Sequence, residues 1–364
     1  MNSKQKNMLY VSLTNSAGGA EQILMMAAKI NNGPILFLKE QKNSALIIND
    51  NQCIKFLSKK SILAGFFLLI KELIPYRKNY VIMSSHPYLN AYLGILKRVG
   101  FIKSILVTRE STSVFLRFSG LKRLSYKIVY WLGYPAIDLL VCQTDGMRKQ
   151  LMENSQYLIS KRVVVLENPV DVEDVMKKAG EASDDPMLLD AYICSAGRLI
   201  SLKAFDVLIK AFKPISKQCP DLKLLILGEG EKRGDLVQLI EKLALQDKVI
   251  LKGFVSNPFR YFKNARVCVV SSIREGFPNV LLQMMALNER VVSTLCADGI
   301  QDFHSISKAK VNDVDSLTSA ILYELSVDRE TKVYRNKRFI AHRTPENFMK
   351  LILEKIIQNR NCVL

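Results

Sequence analysis

The chain has 364 residues, 49% of them hydrophobic and 24% charged, enough for two cores with the apolar content of a soluble globular protein. Its formal charge of +18 is uneven: residues 1–170 hold 23 Lys and Arg against 9 Asp and Glu, and residues 171–364 hold 29 against 25. The seven cysteines include no C-x-x-C pair, and the apolar run 61–70 stops at Lys71. These features argue against a disulfide framework, a zinc site and a membrane span, and for a reducing cytosol.

Taken in order, the first ten residues show no signal region. A strand over 9–13 runs into a loop holding Gly18 and Gly19 and a helix over 20–30, the opening of many nucleotide-binding α/β domains. Further strands are predicted at 35–38, 80–83, 104–108, 139–142 and 162–166, with helical stretches between most of them, which argues for a mostly parallel sheet. Two segments here mix cations with apolar and aromatic residues: KFLSKKSILAGFFLLIKELIPYRK over 55–78 and LRFSGLKRLSYKIVYW over 116–131. A basic half implies an anionic partner, and basic residues flanking an apolar helix face are the pattern of an interfacial membrane helix. Peripheral contact with an anionic membrane is expected; no nucleic-acid motif is present, so no nucleic acid is expected. The polar stretch 177–185 before Pro186 reads as a linker. Beyond it the α/β rhythm restarts, with strands at 192–196, 223–227, 249–251, 267–270 and 290–293, helices near 204–218 and 234–245, and a last helix at 345–358. The domains are therefore drawn at 1–175 and 186–344, with 345–364 as a terminal helix.

Residues 271–294, SSIREGFPNVLLQMMALNERVVST, join a strand to a helix that Pro278 can start. The loop between carries Glu275 and Gly276. A helix N-terminus offers free N–H groups to a phosphate, and an acid beside it accepts from sugar hydroxyls. Arg198 and Lys203 follow the strand 192–196, at the carboxyl end where open α/β sheets bind ligands, and two cations there suit a diphosphate. No metal-ligand cluster and no paired carboxylates for water attack are evident.

These segments together resemble the family 4 retaining glycosyltransferases of the GT-B fold, the group 1 glycosyltransferase family. Residues 275–292 follow its pattern E-G-F-P-N-V-L-L-E-A-M-A-x-G-x-P-V-V, except that Gln283 stands for the second glutamate, Asn288 for the glycine and Arg290 for the proline. Residues 197–212 follow G-R-L-x-x-x-K-G-x-x-x-L-I-x-A-F, with Ala204 for the glycine after the lysine. Gly228-Glu229-Gly230 matches G-x-G, the loop 252–258 matches the stretch that lies against the base, Gly18-Gly19-Ala20-Glu21 matches G-G-A-E, and Thr108-Arg109-Glu110 the T-x-H or R-E-H region.

The resemblance implies two Rossmann-like domains facing across a cleft, a last helix crossing back to the first domain, and no metal cofactor. It implies catalytic roles for Arg198, Lys203 and Glu275. Donor contacts are implied for Gly18, Gly19, Gly228, Gly230, Phe254, Val255, Gly276, Phe277, Pro278, Asn279, Val280 and Gln283. Gln283 keeps one acceptor oxygen but loses the charge, weakening ribose binding by roughly 1–2 kcal/mol. The first domain is to bind the acceptor: His86 either contacts a ligand or is structural, and Arg109 and Glu110 either orient acceptor or sugar or pair with each other. The implied function is transfer of a sugar from a nucleotide-diphosphate donor, taken as a UDP-sugar, to a glycan or lipid-linked oligosaccharide. This would serve bacterial surface polysaccharide, O-antigen or capsule synthesis at the inner face of the cytoplasmic membrane. A non-catalytic GT-B partner subunit and a GT-B sugar-nucleotide isomerase or phosphorylase are the alternatives.

Overall fold

The computed structural model describes residues 7–16, 18–41, 53–327 and 333–361. The first six residues, part of the stretch read for a signal region, and Ala17 of the first glycine loop lie outside these. The chain divides into two compact units, Met1–Pro169 with Pro345–Leu364, and Val170–Thr344.

In chain order the first unit holds β1 (Met8–Thr14), α1 (Gly19–Asn31), β2 (Ile35–Lys39), β3 (Ile54–Ser58), α2 (Ile62–Glu72), β4 (Val81–Ser85), α3 (Pro87–Arg98), β5 (Ile105–Arg109), α4 (Val114–Arg117), α5 (Gly120–Gly133), β6 (Leu139–Cys142), α6 (Asp145–Asn154) and β7 (Val163–Val165). Its seven strands are all parallel, in the order β3-β2-β1-β4-β5-β6-β7. Successive side chains alternate between faces. Leu9 and Val11 therefore enter the core under α2, α3, α5 and α6, whereas Met8 and Tyr10 enter the core under α1. That second face is completed by Phe348, Met349, Ile352 and Ile356 of the final helix, Pro345–Asn361.

The second unit holds α7 (Val172–Ala179), β8 (Tyr192–Ala196), α8 (Phe205–Gln218), β9 (Lys223–Leu227), α9 (Arg233–Lys242), β10 (Val249–Gly253), α10 (Phe259–Asn264), β11 (Val267–Val270), α11 (Asn279–Leu287), β12 (Val291–Thr294), β13 (Ser307–Ala309), α12 (Val314–Ser326) and α13 (Val333–Ile340), the terminal helix being α14. The six parallel strands run β10-β9-β8-β11-β12-β13. Strands such as Lys223–Leu227 (KLLIL) and Val267–Val270 (VCVV) are near-continuously apolar because helices cover both faces of a parallel sheet.

Each sheet reverses its order once. In the first the reversal lies between β1 and β4, and in the second between β8 and β11. Ligands of open α/β sheets bind outside the carboxyl ends of the strands at such a point.

Two expectations need correcting. The stretch 177–185 is not a linker, and the division falls at Pro169/Val170 rather than across 175–186. Asp185 pairs with Lys252 at 2.6 Å, the Asn257 amide donates to the Lys178 carbonyl at 2.8 Å, and Arg260 donates to the Ala182 carbonyl at 3.1 Å. The stretch is polar because its polar groups fasten it onto the second unit. The edge strands β3 and β13 are absent from the predicted elements; β3 is mostly part-exposed and β13 has only three residues, so both lack the apolar run of the inner strands. Among the described residues no helix is long and apolar enough to cross a membrane.

Candidate functional site

The second unit builds its site from the loops after β8 and β11. The β8 loop ends in a short turn, Ser201–Lys203. Ser271 Oγ donates to the Lys203 carbonyl at 2.8 Å, and the Ile273 N–H donates to the Leu202 carbonyl at 2.8 Å. The two loops are thus sewn together across the reversal of strand order. Lys203 Nζ reaches Glu275 Oε1 at 2.6 Å, and Ser272 Oγ donates to the same oxygen at 2.8 Å. The Glu275 N–H donates to the Cys296 carbonyl at 2.8 Å, anchoring the loop to the end of β12. Two of the three residues assigned catalytic roles therefore meet. The third, Arg198, is exposed, its side chain without a hydrogen bond among the described residues, on a turn pinned through Leu199 to Glu229 and Lys232.

The glycines next to this turn have a definite steric reason. A Cβ on Gly228, whose φ is 144°, would overlap the Gly197 carbonyl oxygen, and one on Gly230 would lie 2.5 Å from the Leu199 carbonyl oxygen. Glycine is required because two loops of one unit pack backbone to backbone. Ala204, standing for the pattern's glycine, adopts a left-handed φ of 47° and ψ of 43°, a conformation costing an L-residue roughly 1–2 kcal/mol.

Phe277 does not face outward. It is 9% exposed, lies near Phe303, and sits under the Arg343 guanidinium at 5.5 Å, so only its backbone serves the loop. Pro278 is also buried and precedes α11, which starts one residue later, at Asn279. Gly276, Asn279, Val280, Val255 and Gln283 are partly buried, Gln283 without a hydrogen bond among the described residues, and Phe254 is 56% exposed. The departures at 288 and 290 are structural. Asn288 donates to the carbonyls of Phe262 and Ala265, both at 2.8 Å, and accepts from the Arg290 N–H at 2.9 Å, while Arg290 donates to the Val327 carbonyl at 2.6 Å. Side-chain bonds here hold the entry to β12, where the family pattern has glycine and proline.

In the first unit the loops after β1 and β4 are joined in the same manner. His86 Nε2 lies 2.9 Å from Glu21 Oε1. Glu21 is the third residue of α1 and its carboxylate folds back over Gly18, where a Cβ would overlap it. The N-terminus of α1, read as a donor-phosphate contact through Gly18 and Gly19, thus already holds a carboxylate. Burial pushes the Glu21 carboxyl up, but the bonds from His86, its own N–H and Ser16 outweigh this and hold it below its ordinary value. Glu21 enters the sequence reading only as the last residue of the G-G-A-E match; its pairing with His86, 65 positions away, has no local sequence signal.

Arg109 and Glu110 do not pair with each other by a direct bond, but Asn90 links them, donating to the Arg109 carbonyl at 3.2 Å and to Glu110 Oε1 at 3.4 Å. Arg109 ends β5 rather than lying in a loop. It is 1% exposed and donates to Asn168 Oδ1 at 2.5 Å; burial lowers its pKa to about 10. Glu110, 2% exposed, accepts from Tyr130 at 2.7 Å and Tyr134 at 2.5 Å. Burial raises its pKa despite these bonds. A carboxyl enclosed by two stacked phenols, with ring centroids 3.8 Å apart, has the surroundings of a core anchor.

Among the described residues no group of three or more His, Cys, Asp or Glu is placed to hold a metal ion. The arrangement can present cations to a diphosphate from Arg198 and Lys203, and acceptor oxygens to hydroxyls from Glu275.

Residues 190–326 match the model of the family described as glycosyl transferases group 1. The chain is 31% identical over 343 residues to the N-acetylgalactosamine-N,N'-diacetylbacillosaminyl-diphospho-undecaprenol 4-alpha-N-acetylgalactosaminyltransferase of Campylobacter jejuni, covering 88% of this chain and 90% of that protein. It is 25% identical over 260 residues to the capsular polysaccharide biosynthesis glycosyltransferase CapM of Staphylococcus aureus, covering 66% and 63%. Its fold matches the crystal structure of Anabaena HepE in complex with UDP and glucose with a TM-score of 0.79 at 15% identity, covering 97% and 100%. The paired parallel sheets and the cation-bearing loop at the second reversal define a GT-B glycosyltransferase. The chain belongs to the group 1 glycosyl transferase family.

Proposed function

We propose that the protein transfers a sugar from a UDP-sugar to a lipid-linked glycan with retention of configuration, in assembly of a bacterial surface polysaccharide. The observation that carries this reading is the Lys203–Glu275 pair beside the exposed Arg198. As the anomeric C–O bond breaks, negative charge gathers on the leaving diphosphate, and Arg198 and Lys203 stabilise it electrostatically. The acceptor oxygen bonds to the anomeric carbon from the same face, and its proton passes to the leaving diphosphate oxygen. No metal is required. A donor screen by mass spectrometry with a lipid-diphosphate sugar acceptor, followed by NMR of the product anomer, tests this. An inverted product refutes retention, and a free epimerised sugar nucleotide formed without acceptor supports the isomerase alternative. Intact glycan assembly in cells after Arg198→Ala and Lys203→Ala supports the non-catalytic subunit instead.

Contact with an anionic membrane surface at the inner face of the cytoplasmic membrane is part of the same proposal. On α2, Leu63 and Phe67 are 72% and 78% exposed. On α5, Leu121, Leu124, Ile128 and Trp131 stand exposed at helical spacing, flanked by the exposed Lys122 and Lys127. Reversal of the exposed Lys59, Lys60 and Lys71 to Glu is expected to abolish partitioning onto anionic vesicles; unchanged partitioning refutes it.

A further inference from the structure

We propose that Glu21 is the positioning residue of His86, fixing its ring as the Nε2–H tautomer so that Nδ1 is left as a bare acceptor for a hydroxyl of the sugar substrate. Four observations support this.

The Nε2 of His86 lies 2.9 Å from a Glu21 carboxylate whose side chain is 5% exposed. A carboxylate only accepts, so the imidazole nitrogen facing it must donate. Glu21 also accepts from Ser16 and from its own N–H, so the carboxylate cannot turn away without leaving those donors unmatched. Nδ1 of His86 meets no group among the described residues, and the ring keeps 22% exposure. A neutral imidazole that donates through one nitrogen accepts through the other.

The backbone of His86 points the same way. Its φ of 134° and ψ of 124° lie where non-glycine residues are rare. Such strain costs about 1–3 kcal/mol and persists only where surrounding contacts over-determine it. Pro87 starts α3 directly behind it, and Glu21 holds its ring from α1. The residue sits at the carboxyl end of β4, beside the reversal of strand order in the first sheet, where ligands of such sheets bind. The other charged groups nearby are Arg109 on β5, whose charge reaches Glu21, and Glu110 beside it. Neither is bonded to the ring.

The substrate class rests on the glycosyl-transfer reading above; the tautomer does not, and the experiment separates the two. Only three histidines are present, so imidazole nitrogen spectra of 15N-histidine-labelled full-length protein, assigned with His86→Gln, read the tautomer directly at a pH where the ring is neutral. The wild type is expected to show Nε2–H at His86. Glu21→Gln is isosteric, but Ser16 and the backbone N–H claim the amide oxygen, so its NH2 faces His86 and the tautomer inverts to Nδ1–H. With that inversion the substrate hydroxyl must accept from the ring instead of donating to it, and kcat/KM is expected to fall about 10-fold, while thermal unfolding stays within about 2 °C. An unchanged tautomer in Glu21→Gln overturns the positioning role. An inverted tautomer with unchanged kcat/KM overturns the role of Nδ1 as acceptor for a substrate hydroxyl. Absence of any transfer by the wild type refutes the glycosyl-transfer reading and leaves the spectroscopic test of Glu21 intact.

Discussion

Lys203→Met separates the structural from the chemical role of the Lys203–Glu275 pair. At 2.6 Å the gross attraction is about 6 kcal/mol at an effective dielectric near 20. Desolvation and side-chain ordering offset most of it. The side chains are 19% and 20% exposed, which places the pair between a surface bridge worth about 0–1 kcal/mol and a buried one whose breakage costs about 3–5. Methionine keeps the stem beside Gly197 but leaves Glu275 with Ser272 as its side-chain donor among the described residues. A loss of about 1–2 kcal/mol follows, lowering the midpoint of thermal unfolding by about 4 °C. The loss for ligand binding is different in origin: a charge-assisted bond to the diphosphate is worth about 1.5–3 kcal/mol, so the calorimetric Kd for UDP is expected to rise about 10- to 150-fold. The double variant Lys203→Met/Glu275→Gln removes the unpaired carboxylate. Its unfolding midpoint is expected to return to within about 1 °C of wild type while UDP binding stays weak. Recovery of both in the double variant, or an unchanged Kd in Lys203→Met, would refute the assignment of Lys203 to the diphosphate.

Gly228→Ala is expected to destabilise the protein by about 3 kcal/mol or more in urea unfolding, because the new Cβ meets the Gly197 carbonyl at φ 144°. Gly234→Ala, in α9 with nothing within 4 Å of the new Cβ, is the control and should be neutral or stabilising by up to about 1 kcal/mol. Gln283→Glu is expected to tighten UDP binding about 5- to 30-fold by restoring a charged acceptor, with the gain lost for a 2′,3′-dideoxy analogue. Glu110 has a folded pKa raised above its ordinary 4.5, so its contribution to stability is present at lower pH and declines as pH rises from there. Glu110→Gln should therefore gain on wild type in thermal unfolding as pH rises from about 4.5, and a gap that does not change with pH refutes a carboxyl whose pKa burial raises.

The inner strands were legible because a parallel sheet covered on both faces demands unbroken apolar runs. Tyr192–Ala196, Lys223–Leu227 and Val267–Val270 have the same bounds in sequence and structure. The edge strand β3 was not, since its part-exposed I-K-F-L-S runs straight into the basic and apolar stretch 55–78 that reads as an interfacial helix pattern. The stretch 177–185 misled for a related reason: composition reports polarity, and cannot tell a free linker from one fastened by Lys252, Asn257 and Arg260, more than sixty residues ahead. Residue types at the site could be read locally, because Arg198, Lys203 and Glu275 lie in short motifs at strand ends. Their pairing could not, since Lys203 and Glu275 are 72 positions apart and meet only because β8 and β11 are neighbours. The same reasoning explains Glu21 and His86, brought together by the neighbouring β1 and β4. In each sheet an acid after one strand holds a basic side chain after the other, across the reversal of strand order. In the second unit the Ser271 and Ile273 bonds to the β8 loop accompany the charge pair, which keeps polar atoms at the ligand-binding edge. The departures at Asn288 and Arg290 fall outside both pairs. This is why a sequence that breaks the family pattern at those positions retains the geometry of the Lys203–Glu275 site.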